Sequence, residues 1–95
     1  MKSAQVTLKN KYGLHMRPAQ GLMKLALEQP CNVYIEKDGF RANARSIVEL
    51  ISLAAECGQT LTVHCDGPDE EASLEKIVEF LENLPELYEE ERVED

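Results

Sequence analysis

The sequence of 95 residues predicts an α+β fold: a two-layer, open-faced β-sandwich in which three helices cover one face of a four-stranded antiparallel sheet. Segments with period-2 alternation of apolar residues interleave with segments of helical periodicity, in the order β-α-β-β-α-β-α. Each predicted strand has one apolar face and each helix has an apolar stripe. Placing all helices on one side of the sheet buries every stripe.

The spacing of apolar residues distinguishes the first strand from the first helix, because it changes from a period of two to helical periodicity. Alternation over residues 4–9 predicts the strand, and the stripe of the helix follows. The helix is expected to begin at about Pro18, because proline suits a first turn and because Arg17, which precedes it, should avoid helical backbone. Pro30 marks its end. The apolar stripe consists of Ala19, Leu22, Met23 and Ala26.

A hairpin and a second helix follow. Residues 31–37 and 40–43 are predicted strands joined at Asp38-Gly39, where glycine permits the positive φ of a tight turn. The second helix is expected to begin at Ser46 and to stop near Gly58. Its apolar face comprises Ile47, Leu50, Ile51 and Ala54.

The last strand and the third helix complete the predicted fold. Residues 60–66 alternate, and Gly67-Pro68-Asp69 opens a helix that Pro85 closes. Residues 1–85 therefore form one domain. Residues 86–95 are mostly acidic and are expected to be a frayed or disordered tail.

The composition argues against several classes of partner. A formal net charge of −8 does not suit nucleic acids or anionic membranes. No apolar run approaches the roughly 20 residues of a membrane span, and the first residues lack the apolar stretch of a signal peptide. The three cysteines form no Cys-x-x-Cys pair. We expect a cytoplasmic protein without disulfides, metal sites or cofactors.

The stretch Gly-Leu-His-Met-Arg-Pro-Ala, residues 13–19, places a histidine ring and a guanidinium close together at the start of the first helix. His15 precedes the helix, where backbone N–H groups are free and the helix dipole favours an anion. Arg17 adds a planar guanidinium that suits phosphate. The pattern predicts an anion site with a nucleophilic ring at its edge. Spacing alone leaves open a surface histidine beside a surface arginine.

This motif resembles the active-site signature of the histidine-containing phosphocarrier protein (HPr) family of the bacterial sugar phosphotransferase system (PTS). A second stretch, Ser-Ile-Val-Glu-Leu-Ile-Ser-Leu at residues 46–53, resembles the family's regulatory serine segment. Its distance from the histidine and its place before the second helix also match. The resemblance covers about residues 3–84.

The resemblance implies an HPr-like phosphocarrier, not an enzyme. His15 would be phosphorylated on Nδ1 by phospho-Enzyme I, charged from phosphoenolpyruvate, and would pass the phosphoryl group to a IIA-type permease component. Arg17 would stabilise the moving charge. Such transfer needs positioning and electrostatic stabilisation above all. The absence of a glycine-rich nucleotide loop argues against ATP binding, and a monomer is the default for such a carrier.

Ser46 has a structural and a regulatory interpretation, which are compatible. Ser46-Ile-Val-Glu49 is a capping box, in which the hydroxyl accepts from the third helical amide and Glu49 reaches back. The resemblance implies that HPr kinase/phosphorylase phosphorylates Ser46.

Two residues depart from the family's pattern: Met16 stands where a small residue is usual, and Glu49 where many members have glycine or lysine. Both lie where partners would dock, so we expect them to influence partner choice. Apolar residues of the second helix would form a docking patch with Met16 beside His15, although they also suit the core. These residues are Ile47, Val48 and Ile51.

Two further functions remain open. A regulatory adaptor, controlled through Ser46, would bind a kinase, transcription factor or metabolic enzyme without sugar transport. The other, a ferredoxin-like domain with an unrelated ligand, would not explain why the His15 and Ser46 motifs occur together at the spacing of the HPr family. His64 follows the strand alternation to the face opposite Val63, and is expected to face solvent without a role.

Overall fold

The structure, a computed structural model that describes residues 1–91, is an α+β sandwich. Its elements follow the predicted order, which confirms the fold class, and one short helix is added after the third. The elements are β1 (Lys2–Thr7), α1 (Met16–Leu27), β2 (Asn32–Lys37), β3 (Phe40–Asn43), α2 (Ile47–Ser52), β4 (Thr60–Asp66), α3 (Glu70–Glu82) and α4 (Leu84–Leu87).

The strands form one sheet in the order β1-β4-β2-β3, and every neighbouring pair is antiparallel. β4 lies between β1 and β2, so Val63 pairs with Ala4 on one side and with Ile35 on the other. Alternate residues of β4 are buried, as period-2 alternation predicts. The helices pack on this buried face.

The core lies between the sheet and the apolar stripes of the helices. Leu22 of α1, Leu50 of α2 and Leu81 of α3 are fully buried. Burying one such side chain contributes about 1.5–3 kcal/mol, so these stripes hold the helices on the sheet. Within residues 1–91, no helix combines the length and apolar character needed to cross a membrane.

α1 begins at Met16, earlier than predicted, and Arg17 is helical. Pro18 occupies the third helical position, where an N–H would have no acceptor within the helix. The carbonyl that its ring would strike, four residues earlier, lies before the helix. The preference of a residue before proline for extended backbone is therefore overridden at no cost in hydrogen bonds.

α2 is shorter than predicted and ends at Ser52, so the placement of Ala54 on its apolar face and of its stop at Gly58 is wrong. Ala54 has φ +49°, a left-handed conformation that terminates the helix. Lys37 Nζ donates to the carbonyls of Leu53 and Ala54 at 2.9 and 3.0 Å, which satisfies the exposed carbonyl end of the helix.

The expectation of a frayed tail is wrong for residues 86–91. Pro85 lies in the first turn of α4 and does not close α3, which ends at Glu82. The chain then turns back toward the beginning of α1, where Lys11 N donates to Glu91 O at 2.9 Å. Tyr88 packs as an aromatic anchor in a mostly acidic segment. Residues 92–95 lie outside the described part of the chain.

Candidate functional site

His15 is the N-cap of α1, with extended backbone (φ −83°, ψ −174°). Its carbonyl accepts the first helical hydrogen bond, from Ala19 N at 2.9 Å. Its side chain forms no capping bond, and it is 34% exposed. The ring of Tyr12 meets it edge to face, with centroids 5.9 Å apart. The ring is therefore supported on one side and accessible to a reactant.

The surroundings of His15 on α1 are electropositive. The N–H groups of Met16 and Arg17 have no acceptor within the helix, and the positive end of the helix dipole lies there. Arg17 forms no ion pair with any of residues 1–91. Its guanidinium packs over the Tyr88 ring, 5.4 Å from the centroid. A charged group of this kind remains available to an incoming anion.

Glu90 contacts the His15 ring, which the sequence did not predict. Its Oε2 lies 2.7 Å from His15 Nε2. Its Oε1 accepts from Asn10 Nδ2 at 3.1 Å and from Tyr12 N at 3.2 Å. The carboxylate is only 6% exposed. Both oxygens are therefore engaged by the loop that leads into α1.

The Glu90 carboxyl has a lowered pKa although it is enclosed. Burial by itself would raise the pKa, because it disfavours the charged form. The hydrogen bonds from His15, Asn10 and Tyr12 N–H stabilise the carboxylate and together outweigh burial. Glu90 is thus an ionised group placed against the ring.

Tyr88 fixes the segment that carries Glu90. Its ring meets Phe80 edge to face at 6.2 Å and lies against Gly21 of α1. A Cβ at Gly21 would overlap Tyr88 Oη and lie 2.9 Å from Phe80 Cζ. The glycine in an otherwise helix-favouring stretch and the Leu87-Tyr88 pair in an acidic tail are the signals in the sequence that could have revealed this docking.

Ser46 caps α2, as predicted, but only half of the predicted capping box forms. Its Oγ accepts from Glu49 N at 3.3 Å. Glu49 Oε1 accepts from Asn43 N at 3.0 Å, whereas Ser46 N donates to Asn43 O at 3.0 Å. The Ser46 N–H is therefore already satisfied, and the glutamate binds the next free donor in the preceding strand.

The structure brings Met16 to the residues of α2 that were predicted to form a docking patch. They line a shallow depression of about 240 Å³, together with Ser52. Val48 is 72% exposed and Met16 is 51% exposed. Ile47 also packs against the core, so it serves both surfaces. The apolar patch consists of Met16, Ile47, Val48 and Ile51.

His64 lies on the open side of the sheet but is more enclosed than expected, with a side chain 12% exposed. Its Nδ1 is 2.6 Å from Ser3 Oγ and its Nε2 is 2.9 Å from Glu36 Oε1. These neighbours on adjacent strands shield the ring. Among the described residues, no group of three or more His, Cys, Asp or Glu side chains could hold a metal ion.

A family model described as the PTS HPr component phosphorylation site matches residues 2–83. The chain belongs to the HPr family. The matched HPr segment includes His15, Arg17 and Ser46, but it ends before Tyr88 and Glu90. The contact between the tail and the histidine therefore involves a part of the chain that the HPr model does not cover.

Known HPr-family proteins cover almost all of the same segment. The HPr-like protein Crh of Halalkalibacterium halodurans is 40% identical over 82 residues, 86% of this chain and 98% of the relative. The crystal structure of a phosphocarrier protein HPr from Bacillus anthracis is 33% identical, with TM-score 0.81, and covers 85% of this chain and 96% of its own.

Crh of Bacillus subtilis, in a crystal structure described as a swapped dimer, is 37% identical with TM-score 0.69; the match covers 85% of this chain and 93% of that one. HPr-family phosphocarriers and HPr-like Crh proteins are thus both similar to this chain.

Proposed function

We propose that this chain is a PTS phosphocarrier in which His15 accepts a phosphoryl group from phospho-Enzyme I and donates it to a IIA-type component. The observation that carries the proposal is the position of His15. Its ring stands at the N-terminus of α1, beside backbone N–H groups without a helical acceptor and the guanidinium of Arg17, which forms no ion pair within residues 1–91. A regulatory adaptor would have no need of this pair.

The proposed chemistry needs little covalent machinery. The ring nitrogen supplies an electron pair, and the helix N-terminus and Arg17 stabilise charge on the transferred phosphoryl oxygens. A partly exposed ring suits a phosphocarrier, because the donor protein and the acceptor protein must each reach the phosphoryl group in turn. Phosphoenolpyruvate enters only through Enzyme I, and no cofactor is required.

The apolar patch is proposed as the docking surface for these partners. Val48 and Met16 are exposed beside the start of α1, so a partner that covers them would also approach His15. Burying their side chains would contribute to affinity, and well-packed apolar anchors dominate many interfaces. Met16 makes this patch larger than the family's usual small residue would.

Transfer from Enzyme I tests the proposal directly. The full chain is incubated with labelled phosphoenolpyruvate and Enzyme I of the same cell. We expect an acid-labile phosphate that His15→Ala abolishes and that His64→Gln retains, since the second histidine is not at the site. A wild-type chain that stays unlabelled would contradict the carrier function.

Similarity to proteins named Crh favours a second candidate, a regulatory adaptor controlled at Ser46. Ser46 is half-buried at the start of α2, and Glu49 beside it would oppose a second negative charge. HPr kinase/phosphorylase would label the wild type and Ser52→Ala, but not Ser46→Ala. Labelling at Ser46 without labelling at His15 would select the adaptor.

We further propose that the chain acts as a monomer. β1 pairs with β4 of the same chain along its whole length, from Lys2 opposite Cys65 to Thr7 opposite Thr60. A swapped dimer would have to exchange pairing of this kind between chains. Sedimentation analysis at several concentrations distinguishes the two states, and a stable dimer would contradict this part of the proposal.

A further inference from the structure

Within residues 1–91, one nitrogen of the His15 ring has a hydrogen-bond partner and the other has none. Nε2 faces Glu90 at 2.7 Å. Nδ1 forms no hydrogen bond with any of residues 1–91. Two nitrogens with such different surroundings cannot carry the ring proton equally well.

The contact with Glu90 indicates which nitrogen carries the proton. Hydrogen bonds from Asn10 and Tyr12 N–H hold the Glu90 carboxylate ionised, and an ionised carboxylate only accepts. The hydrogen in the contact between His15 and Glu90 must therefore belong to Nε2. The electron pair of the neutral ring is then on Nδ1.

We propose that Glu90 is a positioning residue for phosphoryl transfer: it holds the His15 ring in the Nε2–H tautomer, so that Nδ1 is the nucleophile. The inference rests on the proposed carrier function and deepens it. It assigns a role to a residue beyond the segment that the HPr model matches.

In the Nε2–H tautomer, His15 can accept the phosphoryl group and later donate it without gaining or losing a ring proton. In the first step the Nδ1 electron pair forms a bond to phosphorus while the bond between phosphorus and the donor atom of phospho-Enzyme I breaks. The donor atom keeps the electron pair of the broken bond, and the His15 ring becomes cationic with its Nε2–H still bonded to Glu90. In the second step an electron pair of the IIA-type acceptor forms a bond to phosphorus while the Nδ1–P bond breaks; the electron pair of the broken bond returns to Nδ1, and His15 departs as neutral imidazole.

Loss of the Nε2 proton between the two steps would spoil the second one, because the leaving group would then be an imidazolide anion. The carboxylate opposes this loss by stabilising the cationic ring. The neighbouring cations are Arg17 of α1 and Lys11, whose Nζ lies 5.5 Å from the Tyr12 ring centroid. The Glu91 carboxylate is paired with Lys11 at 3.8 Å. Among residues 1–91, Glu90 is the carboxylate hydrogen-bonded to the His15 ring.

The variant Glu90→Gln gives a sharp test, because the geometry predicts the direction of its effect. Asn10 Nδ2 and Tyr12 N both donate to the Oε1 side, so the glutamine carbonyl should face them. Its amide NH₂ would then face His15 and donate to Nε2. The ring should change to the Nδ1–H tautomer, which removes the electron pair from the proposed nucleophile.

The measurement is the ¹⁵N–¹H correlation spectrum of the imidazole rings in the labelled full chain near neutral pH, with Glu89→Gln as the matched control. Glu89 is exposed, adjacent, and carries the same charge. We expect Nε2–H in the wild type and in Glu89→Gln, and predominantly Nδ1–H in Glu90→Gln. Labelling by Enzyme I should slow about 10- to 100-fold in Glu90→Gln only, by analogy with the loss of groups that orient metal-binding histidines.

The possible outcomes separate the two proposals. If Glu90→Gln leaves both the tautomer and the labelling rate unchanged, the role of Glu90 is overturned. If the tautomer follows Glu90 but Enzyme I never labels the wild type, the carrier function is contradicted, while the control of the ring by Glu90 is supported.

Discussion

At the scale of single residues, the proposed chemistry is divided between neighbours at one helix end. His15 would form the bond to phosphorus, while Arg17 would act only through its charge and its hydrogen-bond donors. The guanidinium rests on the Tyr88 ring and pairs with none of the described carboxylates, so it can turn toward a phosphoryl group without breaking an ion pair. Its contribution should therefore appear in the transition state more than in the fold.

Replacing Arg17 with alanine should slow labelling of His15 by Enzyme I about 100-fold, the typical effect of removing one donor that stabilises developing charge. Arg17→Lys should recover part of the rate, because it keeps the charge and loses the planar fork. Initial rates of phosphate incorporation measure both effects. Lys24→Ala, an exposed cation in the last turn of α1, is the control. Equal rates in Arg17→Ala and the control would count against this role.

His15, Arg17 and the proposed docking residues could be singled out from the sequence because they belong to short local motifs. Met16 and Val48 line one depression in the structure, and their role in docking stays a prediction. Glu90 could not be predicted in the same way. It lies 75 residues from His15, in a segment without periodicity, and only tertiary packing joins them.

At the scale of elements, α1 packs against the sheet and also against the Tyr88 ring, which it contacts at Gly21. Its apolar stripe faces the sheet, while its glycine leaves a notch for the Tyr88 ring. The loss in helix propensity relative to alanine is about 1 kcal/mol. The edge-to-face contact of Tyr88 with Phe80 returns about 0.5–1.5 kcal/mol, and the segment after α4 is thereby tied to α1.

Gly21→Ala should release this segment without unfolding the domain. The methyl group would overlap the ends of two flexible side chains, not the backbone. We expect nuclear Overhauser contacts between Tyr88 and Phe80 to disappear and the His15 ring resonances to shift, while the far-ultraviolet circular dichroism stays the same. Gln20→Ala, on the exposed face of α1, should change none of these. Persistence of the contact between Tyr88 and Phe80 in Gly21→Ala would show that the notch is not needed.

The packing of residues 88–91 against the start of α1 should weaken as the pH falls into the acid range. Its bonds lower the pKa of the Glu90 carboxyl below the ordinary value of 4.5, so their stabilisation is complete above that value and is lost as the pH falls through the lowered pKa. The Tyr88 ring resonances should report this loss in the wild type and in Glu89→Gln. In Glu90→Gln the Tyr88 ring resonances should not show this pH-dependent loss. A Tyr88 titration that survives in Glu90→Gln would assign the transition to another group.

Elements were predictable where one physical signal dominated. Alternation identified β4, because its apolar side chains are buried on one face and its polar ones are not. The end of α2 was misplaced, since the left-handed conformation at Ala54 is stabilised by Lys37 from a distant strand. The start of α1 was misplaced because a local steric preference was given more weight than the absence of any hydrogen bond to lose at Pro18.

At the scale of the whole molecule, the cysteines report on the integrity of the core. Cys31 and Cys65 are buried, whereas Cys57 is partly exposed. Burial and the neighbouring Cys31 thiol raise the pKa of Cys65 to about 12, so almost no thiolate is present at neutral pH.

In the native protein a maleimide should therefore modify Cys57 first. Cys31 and Cys65 should react only through unfolding, roughly 10³-fold or more slowly, because the unfolded population limits their access. Mass spectrometry of peptides after timed labelling measures each site. All three should react together in denaturant. Rapid native labelling of Cys65 would indicate that the face of the sheet beneath α3 opens locally.

The contact between His15 and Glu90 also sets an order in time. A ribosome makes the chain from its N-terminus, so the residues of strands β1–β4 and of helices α1–α3 are added before Glu90. The domain can begin to fold during synthesis, but His15 cannot acquire its carboxylate partner until the segment that carries Glu90 emerges. A nascent carrier would thus have its histidine before it has the group that prepares the ring, and incomplete molecules would compete poorly for the phosphoryl group.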